Sequence, residues 1–128
     1  MGDPIVHFEL PADNLERAQA FYKNTFGWVV QPMPEFEYTM LGTAPSNEQG
    51  TPTQPGMING GMGKRGGPLS APVVTILVGS IDAALQNVVK NGGQVKQARQ
   101  PIGEMGFTAY FSDPEGNVVG LFEAPPAP

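Results

Sequence analysis

One spacing constrains this chain more than any other feature: Leu15, Ala18, Tyr22 and Gly27 recur as Ile81, Ala84, Val88 and Gly93, each 66 positions later. Each set follows an apolar, strand-like run and precedes another. A strand, helix and strand series present twice in 128 residues implies two half-modules sharing one core. Such pairs commonly enclose a cavity, and that cavity is where function is to be sought. Two copies at so long a period exclude a short solenoid repeat.

Local patterns give the elements. Ile5 to Leu10 alternates as a strand, with Val6, Phe8 and Leu10 on one face and Ile5, His7 and Glu9 on the other, and Pro11 is expected to stop it. Asp13 and Glu16 resemble a capping box, and Leu15, Ala18, Tyr22 and Phe26 form a helical stripe that Gly27 ends. Trp28 to Gln31 and Phe36 to Leu41 read as strands, the second placing Phe36, Tyr38 and Met40 opposite Glu37, Thr39 and Leu41. Thr43 to Gly56 is rich in Gly, Pro, Ser and Thr and reads as a long loop, either a functional lid or a disordered tip. Met57 to Met62 closes the first half. In the second half Val73 to Val78 is a strand, Ser80 caps a helix carrying Ile81, Ala84, Leu85 and Val88, and three strands follow at Gln94 to Ala98, Phe107 to Phe111 and Asn117 to Glu123. Asp113-Pro114-Glu115-Gly116 has the residues of a type I turn.

The expected fold class is therefore α+β, a single domain over residues 1–128 made of two βαβββ modules, about 3–62 and 71–124, with a connector at 63–70 and a Pro-rich tail at 124–128. Each helix covers one sheet face, so the opposite faces are free to curve as mixed sheets around the cavity.

Composition excludes several classes of function. Without cysteine there is no thiolate catalysis, Cys-type zinc site or disulfide framework, which biases the compartment towards the cytoplasm. A net charge of −5 with scattered basic residues offers no stripe to neutralise phosphates, so no nucleic-acid partner is expected. Met1-Gly2-Asp3-Pro4 is not a basic region followed by an apolar segment and no later run approaches membrane length, so neither a secretory leader nor a membrane span is expected. Gly61 to Gly66 matches a bare dinucleotide-binding pattern but leads into Gly67-Pro68 rather than a helix, and is rejected.

The segment His7-Phe8-Glu9-Leu10-Pro11-Ala12-Asp13-Asn14-Leu15-Glu16-Arg17-Ala18, running on to Phe21-Tyr22 and Phe26-Gly27-Trp28, closely resembles the opening of the vicinal oxygen chelate superfamily. That superfamily contains glyoxalase I, fosfomycin and bleomycin resistance proteins and extradiol dioxygenases. Phe111-Ser112-Asp113-Pro114-Glu115-Gly116-Asn117, with Val119 and Leu121, resembles its final hairpin. The resemblance spans essentially the whole chain and implies paired βαβββ modules of glyoxalase/bleomycin resistance/dioxygenase-like fold, usually in a homodimer. It also implies four metal-ligand positions on cavity-facing strands, of which His7 matches the first. The equivalent positions hold Val73 and Gly120, and Met57 to Met62 offers only Asn59. A stable divalent site needs three or four converging His, carboxylate or thiolate donors. Hence no metal is expected as cofactor. A displaced site would draw on His7, Glu9 and Glu123, although alternation points Glu123 away from the face of Val118, Gly120 and Phe122.

His7, the sole histidine, reads as a pocket-wall residue, with a proton shuttle or ligand-orienting donor as the functional variants. The candidate lining is His7, Glu9, Trp28, Tyr38, Met40, Asn59, Phe107, Phe111, Gly120 and Phe122, with Gly120 leaving space for a ligand. No catalytic residue is assigned. The leading expectation is a protein that binds a small, partly apolar molecule in the inter-module cavity, as a cytoplasmic homodimer without nucleic-acid or membrane partners. The alternatives are a metal-dependent lyase, isomerase or dioxygenase of the same superfamily, and a ligand-free dimeric scaffold.

Overall fold

The computed structural model describes residues 2–126. In chain order the elements are β1 (Ile5–Ala12), α1 (Leu15–Phe26), β2 (Val29–Met33), a 3-10 turn (Pro34–Phe36), β3 (Tyr38–Gly42), β4 (Asn59–Lys64), β5 (Val73–Leu77), α2 (Ile81–Lys90), β6 (Gln94–Pro101), β7 (Phe107–Ser112) and β8 (Val118–Glu123). The fold is α+β, as expected, and the βαβββ series occurs twice. The chain divides into two compact units, residues 7–72 and the chain from Val73 onward, and the second also takes in the segment ending at Val6. That segment is tied to its unit by Leu77 N–H, which donates to Pro4 O at 2.9 Å.

In the N-terminal unit the strand order is β2-β3-β4-β1, with β1 and β4 parallel and the other pairs antiparallel. In the C-terminal unit the equivalent order is β6-β7-β8-β5, again with the first and last strands of the repeat parallel. A parallel pair needs a long connection, and in both units the helix and two intervening strands supply it.

Each helix has an identifiable start and buries one side. Asn14 Oδ1 accepts from Arg17 N–H at 3.0 Å and caps α1, so Asn14 takes the role expected of Asp13, which instead pairs with Arg65 at 3.0 Å. Gly27 ends α1 with φ 72°, a left-handed conformation that glycine adopts without a Cβ clash. The α1 residues Leu15, Ala18 and Tyr22 pack on Ala12, Leu41 and Met62 with Phe8, Leu10 and Val30. In the other unit Ser80 caps α2, whose Ile81 and Leu85 are buried against Val78, Ala109 and Leu121. Each such aliphatic side chain contributes about 1.5–3 kcal/mol.

Three local expectations are corrected. Pro11 does not stop β1, which pairs on through Pro11↔Gly63 to Ala12↔Lys64 and beyond to Arg65 N–H on Ala12 O at 3.0 Å. A proline is admitted where the ladder does not draw on its missing N–H. Phe36 lies in the 3-10 turn rather than in β3, because Glu37 turns the chain with φ 50°. The strand expected from Met57 begins at Asn59 and ends at Lys64.

Candidate functional site

Strand alternation puts His7 and Glu9 together on the face of β1 that α1 does not cover, while Phe8, Leu10 and Ala12 face the helix. Next to β1 lies β4, whose Asn59, Gly61 and Gly63 share that uncovered face by register with His7, Glu9 and Pro11. On the far side of β4, Tyr38 pairs with Gly63 and Met40 with Gly61. A Cβ at Gly61 would overlap the Tyr38 phenol, and one at Gly63 would stand 3.4 Å from its Cδ1. The two glycines thus let the tyrosine ring lie across β4 and reach β1.

There its hydroxyl joins two groups. Tyr38 Oη–H donates to Glu9 Oε2 at 2.7 Å and lies 3.1 Å from His7 Nε2. Glu9 is buried, and His7 and Tyr38 are partly so. Burial holds the His7 pKa below its ordinary 6.5, with the Glu9 charge opposing the shift. The imidazole is therefore neutral at pH 7. Chemically, the three side chains form a hydrogen-bonded chain that orients one neutral imidazole.

Asn59 lies beside His7 in register but works as a fastener. Its Oδ1 accepts from Thr43 N–H at 2.9 Å and Ala44 N–H at 3.1 Å, and its Nδ2 donates to Ser46 Oγ at 2.7 Å and Gly50 O at 3.1 Å. The start of the long loop is thereby tied to β4.

The remaining candidates divide. Trp28 packs on the helix side of its sheet, stacked on Tyr22 at 4.8 Å and 9° and against Phe8 at 5.7 Å, so it does not share the His7 face. Phe107 and Phe111 pack against the core beneath α2, and Phe107 also carries the Arg99 guanidinium 3.6 Å above its ring. By register Phe107 and Phe111 alternate with Thr108, Tyr110 and Ser112, which share the opposite face with Gly120 and Phe122. The two phenylalanines are therefore core rather than lining beside Gly120. Gly120 does not leave a void: a Cβ there would meet Thr75 Oγ1 at 2.8 Å. The Thr75–Gly120–Tyr110 row is not legible in the sequence, because cross-strand neighbours depend on register, which no local pattern in those strands specifies. The glycines of β4 did carry a signal, since glycine inside a strand often marks a close approach of other groups.

The donor set does not fit the four-position metal site of the family resemblance. Val73 and Gly120 offer no ligating atom, and the Asn59 oxygen is held by two backbone N–H groups. Glu123 is similarly engaged: it accepts from Ile81 N–H at 2.8 Å at the start of α2 and pairs with Arg99 at 3.1 Å. Its pKa is lowered by the Ile81 N–H first and Arg99 second. Among the described residues no three His, Asp or Glu side chains lie close enough to share an ion.

A separate cavity of 360 Å³ lies on the helix side of the C-terminal unit, where Ile76, Val88, Phe111 and Leu121 are bordered by Asp3 and Asp113. No helix of the described residues is long and apolar enough to cross a membrane.

Comparison with known proteins adds to this geometry. Residues 4–44 match the bleomycin resistance protein-like N-terminal family. A glyoxylase-like domain-containing protein of Didymella fabae is 33% identical over 126 residues, 94% of each chain. A putative glyoxylase of Mycobacterium bovis is 41% identical over 49 residues, 38% of this chain and 19% of that one. The crystal structure of methylmalonyl-CoA epimerase from Mycobacterium tuberculosis superposes with a TM-score of 0.64, covering 95% of this chain and 88% of that one at 12% identity, a likeness of fold.

Proposed function

Because this chain belongs to the vicinal oxygen chelate superfamily, as a glyoxalase-like member, we propose that it binds a small, partly apolar molecule against the His7 face of its N-terminal unit, without a catalytic metal. The observation that carries the reading is the His7–Tyr38–Glu9 chain laid across the glycines of β4. The series ends on a partly exposed imidazole whose titration is shifted by burial and by a specific charged partner, the combination that marks a candidate functional site. Met40, on the same face, supplies a soft apolar surface of the kind that adapts to varied ligands.

In this reading the working form is a cytoplasmic homodimer. An exposed aromatic pair on the N-terminal unit supports association, Phe26 being 61% exposed with its ring 6.3 Å from that of the half-exposed Phe21. Sedimentation is expected to give twice the 13.6 kDa chain mass.

The binding reading is tested by a panel of aromatic alcohols, amines, aldehydes and acids in thermal-shift assays on the wild-type chain and on His7→Ala. Binding that raises the melting temperature of the wild type and is at least about tenfold weaker in the variant, a difference of about 1.4 kcal/mol, is the expected result. A variant that merely melts earlier while its ligand response is unchanged removes His7 from the site.

A further inference from the structure

The Tyr38 hydroxyl meets both Glu9 and His7, and these two contacts fix the protons between the three groups. A tyrosine hydroxyl has one proton, and in this chain it goes to the Glu9 carboxylate at 2.7 Å. The contact of 3.1 Å between Tyr38 Oη and His7 Nε2 then needs its proton from the ring, so Nε2 carries the hydrogen and Nδ1 carries the lone pair. Among the described residues no buried side-chain nitrogen or oxygen is left without a partner, and the one hydrogen bond of His7 is that to Tyr38. Nδ1 is therefore an acceptor open to an incoming group.

From this we infer that Tyr38 and Glu9 are positioning residues that hold His7 as a hydrogen-bond acceptor, and that the site selects ligands presenting a donor, a hydroxyl, amine or amide N–H, over ligands presenting a carbonyl or carboxylate oxygen. The inference rests on the small-molecule reading above and adds the polarity of the molecule. A carbonyl oxygen placed on Nδ1 would bring two lone pairs together, and a buried acceptor left unsatisfied costs about 1–3 kcal/mol. Discrimination by a polar site against a mismatched group is correspondingly strong, far more so than that of an apolar wall.

The single histidine makes the test direct. Nitrogen-15 NMR of the full-length chain at pH 7.5 reports which ring nitrogen carries the proton, without ligand. The expected spectrum shows protonated Nε2 and bare Nδ1, and Tyr38→Phe draws the two shifts together as the tautomers mix. A proton on Nδ1 in the wild type overturns the inference whatever binds. The same sample is then titrated with benzyl alcohol and benzylamine as donors, and with benzaldehyde and benzoate as acceptors on the same ring. Selective movement of Nδ1 by the donors, with at least about fivefold tighter binding than the acceptors, supports it. Equal or tighter binding of the acceptors overturns the ligand class but leaves a binding site standing. Failure of all four to bind saturably, with the tautomer as expected, overturns both the class and the proposed function.

Discussion

A histidine surrounded by sheet is neutral for a physical reason, and the consequence can be measured. Burial disfavours the imidazolium of His7 more than the Glu9 charge favours it, so its folded pKa lies below the unfolded value of 6.5. The unfolded chain binds the extra proton first. The stability associated with His7 is therefore fully present above pH 6.5 and is lost as the pH falls through the folded value. Wild-type melting temperature is expected to fall on acidification through this window, and His7→Gln, which cannot titrate, to flatten that segment of the profile. A variant profile that keeps the same slope would assign the pH dependence to the carboxylates. Gly61 is the second residue at which a single atom decides the site. Gly61→Ala places a methyl inside the Tyr38 phenol, and repacking is expected to cost about 1–3 kcal/mol in denaturant unfolding. In its NMR spectrum, His7 should lose the signature of its tyrosine partner.

At the scale of elements, the strands differ in how readable they were. The alternation of β1 placed His7 and Glu9 on one face without any coordinates, because a period of two is a property of the strand itself. The same alternation in β7 separates Phe107 and Phe111 from Tyr110, yet which set faces α2 depends on where the helix lands, and the structure turns the two phenylalanines to the helix rather than to the face of Gly120. Trp28 failed likewise: it stands outside β2, between the helix cap and the strand, where no period governs its direction. Asn59 illustrates a different limit. An amide in a strand looks like a feeble ligand, whereas four hydrogen bonds make it the anchor of the loop that follows β3. Asn59→Ala should lower stability by about 1–3 kcal/mol and speed amide hydrogen exchange at residues 43–50. Exchange unchanged there would mean that the loop is held by Asn47 and its own turns.

For the whole molecule, the repeated βαβββ series is both the means of recognition and the frame on which the copies diverge. His7 in the first copy is Val73 in the second, so the duplicated positions no longer carry matching donors. Purified protein is expected to hold divalent metal well below one ion per chain, and chelation to leave the melting temperature unchanged. A stoichiometric ion in elemental analysis, with a fall of several degrees on chelation, would restore a metal-dependent enzyme as the better reading.

What the sequence determined alone was whatever depends on neighbours along the chain: the period of each strand and helix, the stop at Gly27, the Asp113 turn and the duplicated order of elements. These follow from backbone geometry and side-chain spacing over a few residues. Which glycine lies under which ring, that Tyr38 crosses β4 to reach β1, and that Glu123 is spent on the start of α2 were decided by tertiary structure. Each joins residues more than twenty positions apart, and contacts of that kind exist only once strand register has set the distances.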